Sequence, residues 1–192
     1  SDINFLETTK LKTKAENDLI YVAGDIVHAK TDMSPELVDL TSELFTNLAD
    51  LLPTIVILGN HDCNLNNNYR LDALSPIVKA IKHKNLHYLK DNGVYDIQGV
   101  HFNVMAVDEK PVKYIKAKDI KGNYKIALHH GSVHNASTDA GFTLSNTHVT
   151  TDIFAGHDLV LLGDIHRPQF LDNEKTIAYA GSLIQQNHGE AL

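Results

Sequence analysis

The chain has one cysteine, Cys63, and no tryptophan. A lone thiol excludes an intrachain disulfide framework and suits a reducing compartment. The expected setting is therefore cytoplasmic, a nucleoid or viral replication compartment included. Long apolar runs are missing as well. Apolar runs such as residues 159–162, and residues 54–58 with their one threonine, fall far short of the roughly 18 residues that a membrane span needs, so no membrane partner is expected. Nor is there a dense basic run: 17 Lys+Arg stand against 24 Asp+Glu, a net charge of −7. Bulk electrostatics could not hold a nucleic-acid partner. No internal repeat or flexible linker interrupts the pattern, and 192 residues at 43% hydrophobic composition suit one globular core. What the chain has in excess is histidine, 12 in all, a side chain that titrates near neutrality and ligates metals.

Apolar runs that close on glycine organise the chain. Residues 5–16 read as a helix already under way, and residues 18–24 (DLIYVAG) as a buried strand that leaves Asp25 on the loop at its carboxyl end. Ser34-Pro35 supplies an N-cap followed by proline at the first helical position. Leu37, Leu40, Leu44, Phe45, Leu48 and Leu51 follow at helical spacing, which predicts a helix that stops at Pro53. Residues 54–58 (TIVIL) repeat the strand pattern, so the segment reads as a β-α-β crossover. A second helix is predicted over residues 72–82, with Leu74, Ile77, Val78 and Ile81 on one face. Short strands then take over: residues 86–89, a turn at Asp91-Asn92-Gly93, then residues 94–97 and 101–107. Residues 124–128, 158–163 and 177–181 complete a β-rich second half, and the long polar segment 132–151 reads as a functional loop.

Four of these strands end in polar clusters: Gly24-Asp25-Ile26-Val27-His28, Gly59-Asn60-His61-Asp62, His129-His130-Gly131 and Gly163-Asp164-Ile165-His166. In α/β proteins the carboxyl ends of the strands gather at one edge, where ligands bind. Clusters distant in sequence are therefore expected to converge. Their donors are carboxylate, amide oxygen and imidazole without thiolate, which suits Mn, Fe or Zn in a reactive site rather than structural zinc. Asp164 and His166, at i and i+2, share one face of an extended segment. His129 and His130 point oppositely on a strand, so only one can be a ligand.

The order of these blocks resembles the calcineurin-like metallophosphoesterase superfamily, with its G-D-x-x-(D/H), G-N-H-(D/E), later H and G-H-x-H signatures. His28, the His129-x-Gly131 spacing, and residues 163–169 followed by Ala180-Gly181-Ser182 are similar to the SbcD branch of DNA double-strand-break repair nucleases. The resemblance implies an α/β metallophosphoesterase sandwich of two β-sheets flanked by helices. It also implies a Mn-dependent DNA phosphodiesterase (Fe, Zn or Mg being alternatives) that works as a homodimer with an SbcC-like ABC-type ATPase. In that scheme Asp25 bridges two divalent metal ions; Asn60, His129 and Asp164 complete the shell of the second, and His166 binds the first. His61 faces the scissile phosphate, and His28 positions the phosphodiester. The His-x-Gly spacing favours His129 over His130. Two ions so held acidify water and offset charge in an in-line displacement, while an imidazole can protonate the leaving oxygen.

Two departures qualify that scheme. Asp164 stands where the superfamily usually has histidine, which adds negative charge and favours harder ions. The superfamily's first D-x-H block has no counterpart beyond Asp2-Ile3-Asn4. Residues 1–192 are accordingly expected to be a nuclease domain lacking its first strand and its C-terminal capping domain, with weak or no activity. A small-molecule phosphodiesterase of the same superfamily and a catalytically silent scaffold remain competing readings. His134 is a candidate substrate contact. His83, His87, His101, His148, His157 and His188 lack motif context and read as solvated or strand-end residues, and Cys63 as small packing.

Overall fold

Ser34 and Pro35 start the first helix as their order predicts. The Ser34 hydroxyl accepts from the Leu37 N–H at 3.2 Å, one of the N–H groups that a helix start leaves unpaired. The computed structural model describes residues 18–28, 30–67 and 69–183. The helix expected over residues 5–16, the Asp2-Ile3-Asn4 segment and His188 lie outside them. The chain divides into two compact units: Ser1–Val22, Ile26–Val56 and His61–Leu89 form one, and Ala23–Asp25, Ile57–Asn60 and Lys90–Leu192 the other.

In the first unit, β1 (Ile20–Val22) pairs in parallel with β2 (Thr54–Ile57), Tyr21 opposite Ile55, and helix α1 (Pro35–Leu51) makes the crossover between them. Strand β3 (Leu86–Leu89) lies on the other side of β2. Thr41, Phe45, Leu48 and Ala49 form the buried stripe of α1. Phe45 and Ala49 pack with Val27, Val56, Leu74 and Ile77. Leu40, counted in the apolar stripe, is instead 57% exposed.

Helix α2 (Ser75–Ile81) begins three residues later than expected. The buried Asp72 carboxylate accepts from the N–H groups of Leu74 and Ser75, the Ser75 hydroxyl and the Tyr88 hydroxyl. A carboxylate that captures the backbone ahead of it forms a turn in place of a first helical turn.

The second unit carries a six-stranded sheet in the order β4-β5-β6-β7-β9-β8. Its strands are β4 (Gly93–Ile97), β5 (Val100–Met105), β6 (Lys125–His130), β7 (Leu159–Gly163), β8 (Gln169–Phe170) and β9 (Ile177–Tyr179). β5, β6, β7 and β9 run parallel, while β4 and β8 are antiparallel edges. The two-residue β8 was not legible as a strand. Segment 132–151 is irregular, as expected, but tied down: Val133 bridges Val149, and Val133, Ala136 and Val149 pack with Phe154, Val160 and Tyr179.

Candidate metal centre

β6 ends at His130 and β7 at Gly163, and the register sets these two residues opposite each other. A Cβ at position 163 would lie 2.7 Å from His130 Nδ1 and run into the Ala23 carbonyl. Only glycine leaves the imidazole room to reach that carbonyl, at 2.6 Å from Nδ1. A Cβ at position 59 would likewise meet the Asp25 side chain. The glycines that close the apolar runs are thus spacers that let three loops crowd one imidazole.

Around His130 Nε2 stand Asn60 Oδ1 at 2.8 Å, Asp25 Oδ2 at 3.2 Å and Asp164 Oδ1 at 4.0 Å. Asp25, His130 and Asp164 each offer a ligand atom, all within 4.8 Å of one another. Both carboxylates sit on backbone in the left-handed region, Asp25 at φ 55° and Asp164 at φ 96°. Side-chain-bearing residues are uncommon there, and such conformations recur at functional sites. Burial of the His130 ring opposes its positive charge. The hydrogen bond and charge of Asp25, the Ala23 carbonyl and the charge of Asp164 outweigh that burial and hold its pKa above the usual value. Two partly buried carboxylates this close call for a cation between them. The donor set fits a hard to borderline divalent ion. With Nδ1–H committed to Ala23, His130 would turn Nε2 toward such an ion, the usual arrangement of a ligating histidine held by a carbonyl.

His129 points the other way. The resemblance set His129 in an ion's shell; in the structure the alternation of side chains along β6 turns His130, and not His129, to Asp25 and Asp164. His129 donates from Nδ1 to the Met105 carbonyl at 2.8 Å and packs edge-on against Tyr114. Its Nε2 meets no hydrogen-bond partner among the described residues, and burial pushes its pKa down to about 4. A Cβ at position 131 would lie 2.8 Å from His129 Nε2, so the His-x-Gly spacing marks the room that Gly131 leaves for that ring. The better signal was Gly163, the residue bare enough to accept a ring opposite it.

Of the other expected residues, Asp25, Asn60 and Asp164 gather with His130, whereas His166 is outside the three-residue group and exposed. The His166 carbonyl accepts from Ser182 N–H at 3.1 Å. In the first unit His28 and His61 are both exposed and stack, ring centroids 5.3 Å apart, with His61 Nδ1 3.0 Å from the His28 carbonyl. A carbonyl only accepts, so that contact makes Nδ1 the donor. Asp62, quoted in the G-N-H-D block but given no role, is fully buried and accepts from the N–H groups of Ile26 and Val27 at 2.9 and 3.1 Å.

A family model described as calcineurin-like phosphoesterase matches residues 3–168. The chain belongs to the calcineurin-like phosphoesterase family. The α/β class with two sheets and helices, expected from the blocks, is the class of this phosphoesterase. Uncharacterized protein R555 of Acanthamoeba polyphaga mimivirus is 46% identical over 95% of the phosphoesterase chain. The chain spans 14% of that relative's length. The Asp25–His130–Asp164 group, which could hold a metal ion, lies within the stretch that the family model matches. No helix among the described residues is long and apolar enough to cross a membrane.

Proposed function

We propose that this phosphoesterase is a DNA phosphodiesterase of the SbcD kind, acting with Mn²⁺ in double-strand-break processing. The observation that carries the reading is the convergence of Asp25, His130 and Asp164 beside Asn60, in a chain whose next residue after Asn60 is the histidine of the stacked His28–His61 pair. Asp25, His130, Asp164 and Asn60 would hold the ion, with His166 a candidate for a second. Divalent ions supply Lewis acidity there, acidifying water and offsetting charge on phosphoryl oxygens. The chain's own part is to orient and to move protons. By the resemblance, His61 would protonate the departing oxygen and His28 would position the phosphodiester.

Charge favours a partner. A chain of net charge −7 has little long-range attraction for DNA, so an SbcC-like ABC-type ATPase would bring the substrate. Leu40, exposed on α1, is a candidate contact in a homodimer.

The test is Mn²⁺-dependent hydrolysis of linear duplex DNA beside a nucleotide monoester and a cyclic nucleotide. DNA is expected to be cut in preference, with the rate falling at least a hundredfold in His61→Ala, as for loss of a general acid. Preference for the small ester would replace the nuclease reading by a small-molecule phosphodiesterase. Equal rates in wild type and His61→Ala would remove His61 from the mechanism, and Mn²⁺ uptake without hydrolysis of any of the three would favour the silent scaffold.

A further inference from the structure

Asp164 is held by more than its own backbone. The Ser132 hydroxyl donates to Asp164 Oδ2 at 2.7 Å, while Oδ1 is the oxygen that looks toward His130. Ser132 is in turn pinned on both sides by one side chain. The Tyr179 hydroxyl donates to the Gly131 carbonyl at 2.7 Å and accepts from the Val133 N–H at 3.0 Å. Tyr179 is 2% exposed and sits on β9 opposite Leu162 of β7, the strand that delivers Asp164. β7, β9 and the loop after β6 are therefore tied together around a single carboxylate.

We propose that Ser132 and Tyr179 are positioning residues for the metal centre: Tyr179 sets the Gly131–Ser132–Val133 backbone, and Ser132 claims one oxygen of Asp164 so that the other is presented to the ion. The proposal rests on the metal-site reading above. Its chemical sense lies in the carboxylate. An aspartate on a loop in left-handed backbone can rotate about its side-chain bonds and offer either oxygen or both. A hydroxyl on Oδ2 confines it to one-oxygen ligation, which suits the regular geometry of Mn²⁺ better than the flexible, often two-oxygen ligation of Ca²⁺. Outer partners of this type commonly change metal affinity by about 10- to 100-fold when removed.

The experiment is calorimetric titration of Mn²⁺ and, separately, Ca²⁺ into the full chain and into Ser132→Ala, Ser132→Thr and Tyr179→Phe, with ion-free thermal unfolding of each. Ser132→Ala is expected to bind Mn²⁺ about tenfold more weakly and to discriminate less between Mn²⁺ and Ca²⁺, with an ion-free unfolding temperature close to that of wild type. Ser132→Thr, which keeps the hydroxyl, restores affinity and discrimination; Tyr179→Phe weakens Mn²⁺ binding in the same direction. Wild-type uptake of Mn²⁺ with Ser132→Ala unchanged overturns this proposal and leaves the metal reading standing. Weak binding in both serine variants, matched by equal losses in ion-free unfolding temperature, reduces Ser132 to a structural role and also overturns it. No uptake by the wild-type chain overturns the metal reading, and this inference with it.

Discussion

At the residue scale, the backbone at the two site aspartates carries strain that an ordinary loop would avoid. Asp164, at φ 96°, is in a region where a Cβ is disfavoured and glycine is not. Replacing it separates fold from function. Asp164→Gly and Asp164→Ala both lose the carboxylate and the bond from Ser132, but only glycine relieves the backbone. The expected outcome of urea unfolding without added ion is that Asp164→Gly is more stable than Asp164→Ala by about 1 kcal/mol, the reverse of their usual order. Equal stabilities would show that the left-handed conformation costs nothing here. The identity of the acidic residues at these positions was legible from Gly24-Asp25 and Gly163-Asp164. Which histidine joins them was not, because the pattern H-H-G is symmetric in composition and only the pleat of β6 distinguishes its members.

At the scale of elements, one buried carboxylate organises the loop after β1. Asp62 closes the N–H groups of Ile26 and Val27, and its own carbonyl accepts from Ala73 N–H at 2.9 Å. It ties the two segments that carry His28 and His61 within the first unit. Asp62→Ala leaves two N–H groups unpaired in a buried setting, at a cost of about 2 kcal/mol or more. Asp62→Asn keeps one acceptor oxygen and is expected to recover part of that loss in the same denaturant titration. Loss of well under 1 kcal/mol in Asp62→Ala would mean that water replaces the carboxylate at Ile26 and Val27. Helix α1 and the crossover were readable from Ser34-Pro35 and the apolar spacing, since capping and amphipathicity are local. The late start of α2 was not, because apolar spacing does not reveal that the Asp72 carboxylate takes the N–H groups of Leu74 and Ser75.

On the scale of the whole molecule, a centre built from Asp25, Asn60, His130 and Asp164 draws on four separate stretches of sequence. An ion bound there stabilises only the folded chain, by linkage. At an ion concentration about a hundredfold above the dissociation constant, the unfolding temperature is expected to rise by about 5 to 10 °C and to return when a chelator is added. A shift with Mn²⁺ that persists in Asp25→Ala would place the ion elsewhere. The stabilisation is also expected to outlast added salt, because the centre is partly buried and weakly screened.

The sequence by itself determined the α/β class, the β-α-β crossover, the family and the loops that bear the chemistry. Each of these follows from local signals: apolar runs of strand length, a capping serine before proline, and glycine ahead of a polar cluster. Tertiary structure alone decided that His130 and not His129 faces the carboxylates, that Ser132 and Tyr179 stand behind Asp164, and that Asp62 serves Ile26 and Val27. Those facts depend on strand register and on partners up to 107 residues apart, as for His130 and Ala23. Packing sets such distances, and no local spacing encodes them.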